Sequence, residues 1–235
     1  MEVVNWPASL ISPSQTSWHL KGGSRGTGIG LNNREQFIYT ENRYWTGTLS
    51  LPEIFGTALP ELLAAVDDIA GQLNIIKLPL FNPFTVTKNG SDADFWRALG
   101  VSETAISDGF ERFSDGTTFT DGTGFSLPSG DNPTALLDAV VGSSTIKFGG
   151  VIGTVLSVGA IFTHNGFMYR VAENTNGLIR FNPPLRQGIL KGEAILVDKP
   201  FIYVRFASND EANILINYCK WGSPVSVNFI EAFER

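Results

Sequence analysis

The fold is decided by one stretch of eight residues, Tyr44-Trp45-Thr46-Gly47-Thr48-Leu49-Ser50-Leu51, which is rich in aromatic and β-branched residues. Trp45 and Leu49 fall on one face of an extended chain, and Thr46 and Thr48 fall on the other. This alternation predicts a β-strand with one buried and one more exposed face. The chain therefore contains at least one sheet with a covered face.

Further strands and one helix surround this stretch. Short strands are predicted at Trp18–Lys21 and Gln36–Thr40 before it, and at Ile75–Leu80 after it. A helix is predicted from Leu59 to Leu73, because apolar residues recur there at spacings of three and four. The members of this apolar stripe are Leu62, Leu63, Val66, Ile69, Ala70 and Leu73. The order strand, helix, strand predicts a helix that covers one face of the sheet.

Residues 83–135 have a different composition, with many Gly, Ser, Thr and Asp residues. They include a near-repeat of six residues, Phe113-Ser114-Asp115-Gly116-Thr117-Thr118 followed by Phe119-Thr120-Asp121-Gly122-Thr123-Gly124 and then Phe125. Each Asp-Gly pair is a strong turn signal. The copies are too few for a solenoid, so paired hairpins, or a loop that lies across a neighbouring surface, are predicted.

A series of short strands is predicted in residues 145–198. They are Thr145–Phe148, Val151–Val158, Ile161–Thr163, Phe167–Val171, Leu178–Phe181 and Ala194–Val197. Asn165-Gly166 and Asn176-Gly177 are dipeptides that favour two-residue hairpin turns. Short strands at this spacing predict a small β-barrel or sandwich.

The composition of the first segment returns after Pro200. Three strands are predicted there, at Phe201–Phe206, Asn213–Tyr218 and Val225–Phe233. We therefore predict a body formed by residues 1–82 and 199–235, and an inserted β-rich module formed by residues 83–198. The predicted class is mainly β with one covering helix, an α+β fold in which a β-sandwich or barrel domain is interrupted by a small β-barrel module.

Charge and composition exclude several classes of function. The formal net charge is −6, and the 17 Lys and Arg residues are scattered along the chain. A phosphate backbone or an anionic membrane surface requires clustered basic side chains, so neither nucleic-acid binding nor membrane insertion is predicted. Cys219 has no cysteine partner for a disulfide, and no secretion signal or apolar run of roughly 18 residues is visible. The protein is expected to be soluble and made in a reducing cytoplasm.

The glycine-rich segment from Gly22 to Gly30 has only a superficial likeness to a phosphate-binding loop. No Lys-Ser or Lys-Thr pair follows it and no helix is predicted after it, and a P-loop requires both. We therefore predict a flexible or assembly-ordered loop, with Gly22, Arg25 and Gly28 as candidate contact residues.

No residue pattern favours catalysis, a metal site or a cofactor. His19 and His164 are predicted to be turn or surface residues, because neither has a second ligand-type residue at a suitable spacing. Asp115 and Asp121 are predicted to be turn residues, since a calcium ion requires about six to eight oxygen ligands. Cys219 lacks a nearby histidine and is predicted to be half-buried and structural. The protein is not predicted to be an enzyme, and no cofactor is expected.

Tryptophan residues are the remaining candidates for ligand contact. Trp45, Trp96 and Trp221 are of the residue type that stacks on sugars, but most tryptophans in a phenylalanine-rich β protein belong to the core. Trp96 has polar, loop-like neighbours in the sequence. It is therefore the predicted contact for a ligand or receptor.

Three groups of residues, taken in order, resemble a known family, and the resemblance does not cover residues 83–135. The first group is Pro7-Ala8-Ser9-Leu10-Ile11-Ser12-Pro13-Ser14 with Trp45-Thr46-Gly47-Thr48-Leu49-Ser50-Leu51-Pro52. The second is Gly159-Ala160-Ile161-Phe162, Met168-Tyr169-Arg170-Val171 and Phe181-Asn182-Pro183-Pro184-Leu185-Arg186. The third is Phe206-Ala207-Ser208-Asn209 with Asn228-Phe229-Ile230-Glu231-Ala232-Phe233. Together they are similar to the distal-tail or minor tail proteins of long-tailed, non-contractile, siphovirus-type phages of Gram-negative bacteria.

This resemblance implies a tail-tube-like β domain that forms a ring, expected to be a hexamer, around the tail channel, with an outward insert. The implied partners are further copies of the chain, the tail tube protein, the tail hub and tape-measure proteins, and tail fibres. The implied location is the tail tip of the virion, after synthesis in the host cytoplasm.

The leading hypothesis is therefore a structural component of the phage tail tip, a distal-tail ring that joins the tail tube to the hub and fibres. Its assembly contacts are expected at Gly22–Gly30 and the C-terminal strands. The alternative is a receptor- or carbohydrate-binding minor tail protein, with residues 83–198 as the binding module. A third hypothesis, a cell-wall hydrolase, lacks a catalytic constellation.

Overall fold

A computed structural model of the chain describes residues 2–7, 13–29, 35–39, 43–80, 97, 101–126, 132–150, 156–197, 199–216 and 221–234. The chain divides into two compact units, one made of Met1–Phe81 with Phe201–Arg235 and the other of Asn82–Pro200. The sequence predicts unit boundaries after residues 82 and 198, and the structure has these boundaries after residues 81 and 200. The described part is mainly β with two helices, which agrees with the predicted class.

The elements follow one another along the chain with strands far outnumbering helices. In chain order they are β1 (Val3–Asn5), β2 (Gln15–Lys21), β3 (Ser24–Ile29), β4 (Glu35–Tyr39), β5 (Tyr44–Leu51), β6 (Ile54–Phe55), α1 (Ala58–Ile69), β7 (Ile75–Pro79), α2 (Glu103–Asp108), β8 (Phe110–Glu111), β9 (Phe125–Ser126), β10 (Thr134–Ala135), β11 (Thr145–Gly149), β12 (Ile161–His164), β13 (Phe167–Thr175), β14 (Leu178–Asn182), β15 (Phe201–Phe206), β16 (Trp221–Gly222) and β17 (Val225–Glu231). The sequence predicted α1 but not α2.

The first unit is built on a six-stranded sheet with the strand order β1-β7-β15-β17-β5-β2. β1 and β7 are parallel, and the other neighbours are antiparallel. The strand predicted at residues 44–51 is confirmed as β5, with Trp45, Leu49 and Leu51 on its buried face. Phe229 of β17 is also buried, and the ring of Trp6 meets it edge-on at 5.7 Å between centroids. The core of this unit therefore includes large apolar side chains from neighbouring strands.

The helix α1 packs beside β1 and β6 and buries Leu59, Leu62 and Ile69. It ends at Ile69, so the predicted end at Leu73 is wrong. Ala70 adopts a left-handed conformation (φ 51°), which stops helical hydrogen bonding. Leu73 lies beyond this stop and is exposed, although its spacing continues the apolar stripe.

The C-terminal strands differ in part from the prediction. β15 has the predicted bounds, and β17 covers Val225–Glu231 of the predicted Val225–Phe233. The predicted strand Asn213–Tyr218 is wrong for residues 213–216, where a single bridge joins Ile216 to Gly222, and residues 217–218 lie outside the described residues. Ile216 is exposed, so the apolar character of this segment does not report a buried sheet face.

The second unit contains a five-stranded sheet with the order β10-β11-β14-β13-β12. Asn165-Gly166 joins β12 to β13, and Asn176-Gly177 joins β13 to β14. All four of these turn residues have positive φ, which is the requirement of the two-residue turn that Asn-Gly favours. Both predicted hairpin turns are confirmed.

Residues 193–196 bridge the two outer strands of this sheet. On the β10 side, Ala135 N donates to Glu193 O at 2.9 Å, and on the β12 side Leu196 and Thr163 exchange two backbone bonds of 2.8 Å. The sheet therefore curls around a core. Four aromatic members of that core have neighbouring ring centroids 5.3–5.6 Å apart, and they are Phe148, Phe162, Tyr169 and Phe181.

Two predicted strands of this unit are not formed as predicted. The strand predicted at Ala194–Val197 is present only as isolated bridges at Ala194 and Leu196. Of the strand predicted at Val151–Val158, residues 151–155 lie outside the described residues and residues 156–158 are not strand. Isolated bridges form because this segment contacts a different strand on each side, rather than one strand along its length.

Candidate assembly surface

The sheet of the first unit ends at β2, which pairs with β5 along its whole length. The register runs from Gln15 opposite Ser50 to Lys21 opposite Tyr44 without interruption. Within the described part of the chain, β5 is the only strand beside β2. Among the described strands β2 is therefore the outer one, and outer strands are the elements through which sheets of neighbouring molecules pair.

A two-stranded extension continues from this pair, and we call it the arm (β3 and β4). Ser24 lies opposite Tyr39, Gly26 opposite Phe37, and Ile29 opposite Glu35, with a bulge between Gly26 and Ile29. β2 leads into β3 and β4 leads back into β5, so the four strands form one long hairpin whose base belongs to the six-stranded sheet. In the described residues, β3 and β4 form a sheet of their own.

Two glycines at the base set the direction in which β3 leaves the sheet. Gly22 (φ 87°) and Gly23 (φ 102°) adopt conformations that residues with side chains rarely take. A Cβ atom on Gly23 would lie 2.8 Å from Arg43 Nε, so the flexible Arg43 side chain would have to shift if position 23 carried a side chain. A residue with a side chain at either position would strain the backbone at the base of the arm.

The candidate contact residues named from the sequence lie at this arm. Gly22 lies just before it, and Arg25 and Gly28 lie within β3. The loop predicted over Gly22–Gly30 is therefore wrong for residues 24–29, which form a strand. A glycine-rich segment lacks the side-chain alternation that reveals a strand in sequence.

Trp96, the predicted ligand or receptor contact, and Cys219, the predicted structural cysteine, both lie outside the described residues.

The sheet next to the arm carries a set of hydroxyl and amide groups. Thr48 Oγ1 donates to Asn228 Oδ1 at 2.8 Å, and the hydroxyl oxygens of Ser50 and Ser226 lie 3.1 Å apart. Asn228 N donates to a carboxylate oxygen of Glu211 at 2.8 Å. The sequences of β2, β5 and β17 contain one lysine and no arginine, so these strands lack the cationic cluster that would hold a phosphate backbone.

Glu231 is a buried carboxylate near the base of the arm that sequence reasoning missed. Its side chain is 4% exposed, and Oε2 accepts a hydrogen bond from Trp45 N at 2.9 Å. This bond ties the end of β17 to the start of β5, the strand that returns from the arm. The signal was present in the sequence, because Glu231 continues the buried register of Val227 and Phe229, where an apolar residue is expected.

In the second unit, the prediction that His164 is a turn or surface residue is wrong. The side chain is 6% exposed at the end of β12, and Nε2 lies 3.1 Å from Asn165 Nδ2 and 3.8 Å from Glu193 Oε2. Burial lowers the pKa of His164, and the carboxylate of Glu193 opposes this effect. All four residues of β12 are buried, so its sequence does not show the alternation of polar and apolar residues that marks a strand with one buried face. His19, by contrast, is exposed, as predicted for a surface histidine, and lies in β2.

Asp115 and Asp121 are turn residues, as predicted. Oδ1 of each carboxylate accepts from both the hydroxyl and the backbone N–H of the threonine two residues later, at 2.6–3.0 Å. The hydroxyl bond, and then the backbone bond, lower the pKa of each carboxyl below its ordinary value. The described residues contain no group of three side chains suited to hold a metal ion.

Neither helix in the described part of the chain is long and apolar enough to cross a membrane. The sequence matches no protein-family model and no curated protein.

Proposed function

We propose that this chain is a structural subunit of a phage tail tip, a distal-tail protein whose copies form a ring between the tail tube and the hub and fibres. In this proposal the first unit is the tail-tube-like, ring-forming domain, and the second is a barrel-like peripheral module. The observation that carries the proposal is the arm; the ordered resemblance along the sequence supports the proposed family but does not locate a contact.

The arm supports assembly because a two-stranded sheet is only marginally stable alone in water. β3 and β4 bond to each other and form no larger sheet within the described residues. Strands from neighbouring copies would supply the missing backbone partners, and main-chain pairing of this kind gives affinity without large apolar surfaces. A closed ring is the symmetric arrangement in which every copy uses the same two surfaces.

The composition of the sheet also fits a channel that DNA crosses. The hydroxyl and amide groups of β5 and β17 are bonded to one another, and the chain carries a formal charge of −6. A surface without clustered cations does not retain a phosphate backbone. A ring whose channel is lined by basic side chains would contradict this part of the proposal.

The proposal is tested by the mass and shape of the purified full chain. Mass photometry is expected to give a hexamer, and negative-stain images are expected to show a ring with a central channel. A variant in which residues 25–38 are replaced by a short Gly-Ser linker is expected to stay monomeric with a folded first unit, measured by circular dichroism. The matched control, Leu137→Ser in the second unit, should still form rings.

Other outcomes would favour the alternative function. A monomer or trimer that binds host envelope glycans, and loses that binding in a Trp96→Ala variant, would assign the chain to receptor or carbohydrate recognition. A wild-type chain that remains monomeric at all concentrations and binds neither itself nor tail tube protein would overturn the ring.

A further inference from the structure

The near-repeat of the second unit folds into a self-contained segment between β8 and β9. Phe110 pairs with Ser126 and Glu111 with Phe125, which closes the segment at its base. Within it, the N–H of Phe113 donates to the carbonyl of Thr117 at 3.0 Å, and the second repeat forms the equivalent bond at 2.8 Å. Each repeat is therefore a tight turn that begins at a phenylalanine.

The two turns bring three phenylalanine rings together, and we call Phe113, Phe119 and Phe125 the Phe cluster. Every pair of rings meets edge to face, with centroids 5.0, 5.0 and 5.4 Å apart. Phe119 is 42% exposed and Phe125 is 49% exposed. The segment thus orders three aromatic rings and leaves a large part of them in contact with water, which is unusual for side chains of this size.

The surroundings of the cluster are acidic. Residues 108–126 carry four carboxylates and one guanidinium, a formal charge of −3. Asp115 and Asp121 are held in position by their threonine hydrogen bonds, and the same bonds favour the ionised form. Among the described residues, no cation pairs with either carboxylate.

The segment already contains one example of how such a surface holds a cation. The guanidinium carbon of Arg112 lies 5.9 Å from the centroid of the Phe110 ring, and its Nε donates to Asp108 Oδ2 at 2.9 Å. A cation that contacts a carboxylate and an aromatic face at once gains from both interactions. Each repeat also has a phenylalanine and an aspartate two positions apart in the sequence, Phe113 with Asp115 and Phe119 with Asp121.

We propose that the Phe cluster is a docking surface for a basic segment of a partner protein, in which arginine or lysine side chains lie over the exposed rings beside Asp115 and Asp121 and apolar side chains cover the rest. Charge selects this occupant over two others. A second copy of the same segment, and an anionic polysaccharide or lipid, would each bring like charge against the two carboxylates. The inference goes beyond the ring proposal and does not depend on it, because it concerns the second unit alone.

The experiment measures binding of the full chain to a fluorescein-labelled peptide of alternating arginine and leucine by fluorescence anisotropy. A peptide of the same length with glutamate in place of arginine is the matched probe. The arginine peptide is expected to bind, with an affinity that falls as salt is raised, and the glutamate peptide is not. No binding of the arginine peptide would overturn the proposal.

Variants then locate the contact. Phe119→Leu with Phe125→Leu keeps apolar side chains but removes two aromatic faces, and is expected to weaken binding about tenfold, since each exposed cation–π contact contributes roughly threefold. Asp115→Asn with Asp121→Asn keeps an oxygen for each threonine bond, and is expected to weaken binding about threefold at low salt and to flatten the salt dependence.

The control removes exposed aliphatic side chains from the same unit. Leu137→Ser with Val140→Ser changes residues that are 61% and 73% exposed, and binding should stay at the wild-type value. Equal binding by the wild type and the leucine double variant would refute the assignment.

Sedimentation velocity and phosphatidylglycerol vesicles test the other occupants: self-association or vesicle binding that the leucine variant abolishes would replace the basic segment with that occupant. A failed ring assay together with Phe-dependent peptide binding would overturn the ring and leave this surface intact.

Discussion

A substitution at Gly47 tests how the outer strand β2 packs against β5 in the first unit. Gly47 lies in β5 directly opposite Trp18 of β2. A Cβ atom on Gly47 would lie 2.6 Å from Trp18 Cζ3 and 2.7 Å from Cε3, so the indole ring occupies the space of the missing side chain. Contacts this short cannot persist, and either the indole or β2 would have to move.

The sign of the expected effect separates this clash from ordinary strand propensity. In an ordinary strand interior, alanine is more stable than glycine by about 0.5–1 kcal/mol. Overpacking a core position typically costs about 1–3 kcal/mol. Gly47→Ala is therefore expected to lower the free energy of unfolding of the first unit by about 1–2 kcal/mol, and to speed hydrogen exchange along β2 more than along β15.

A double-mutant cycle identifies the cause. Trp18→Ala is itself destabilising, but it removes the ring that Gly47→Ala would strike, so the second change should then be neutral or slightly stabilising. Urea unfolding of the wild type, the two single variants and the double variant gives the coupling energy. If Gly47→Ala costs the same with and without the indole, the close packing of Trp18 on Gly47 is refuted.

Three further perturbations probe the core, the buried carboxylate and the buried histidine. Phe181→Ala removes a fully buried ring, and urea unfolding should show a loss of about 3–5 kcal/mol in the second unit. Glu231→Leu leaves the backbone N–H of Trp45 without this acceptor and should cost about 1–3 kcal/mol in the same assay, whereas the exposed Glu234→Leu control should cost under about 1 kcal/mol. The folded-state pKa of His164 is lowered, so its contribution to stability is present above the unfolded pKa of about 6.5 and is lost as the pH falls from there through the folded pKa. Unfolding at pH values on both sides of this window should show that loss in the wild type and a flatter profile in His164→Gln, and a profile that His164→Gln leaves unchanged would contradict the burial effect.

Local chemistry explains which elements the sequence predicts correctly. The strand at residues 44–51 is found because its side chains alternate, and alternation reports one buried face directly. The turns at Asn165-Gly166 and Asn176-Gly177 are found because positive φ at two successive positions restricts the residue types strongly. In each case the information lies in consecutive residues.

Contacts between residues that are far apart in the sequence are the features that the sequence does not predict. The spacing of Glu231 from Val227 and Phe229 indicates a buried position, but the N–H that it accepts from belongs to Trp45, far away in sequence. His164 looks like a turn histidine beside Asn165-Gly166, but it is buried in a sheet whose edges are bridged by residues 193–196. The hydrogen-bond partner of a buried polar residue depends on the assembled sheet, so composition and spacing alone do not identify that partner.

The composition of the arm fits its proposed role in assembly. Gly26 and Gly28 weaken β3 as an isolated strand, because glycine has the largest conformational entropy to lose and no side chain to pack. The same residues allow another backbone to approach closely. A glycine-rich strand in a two-stranded sheet thus contributes little to the stability of its own molecule. It is better suited to backbone pairing with a neighbouring molecule. Hydrogen exchange distinguishes these roles: if the arm serves assembly, its amides should exchange quickly in the free chain and slowly in the ring, whereas strong protection in a monomer would mean that the arm stabilises its own unit.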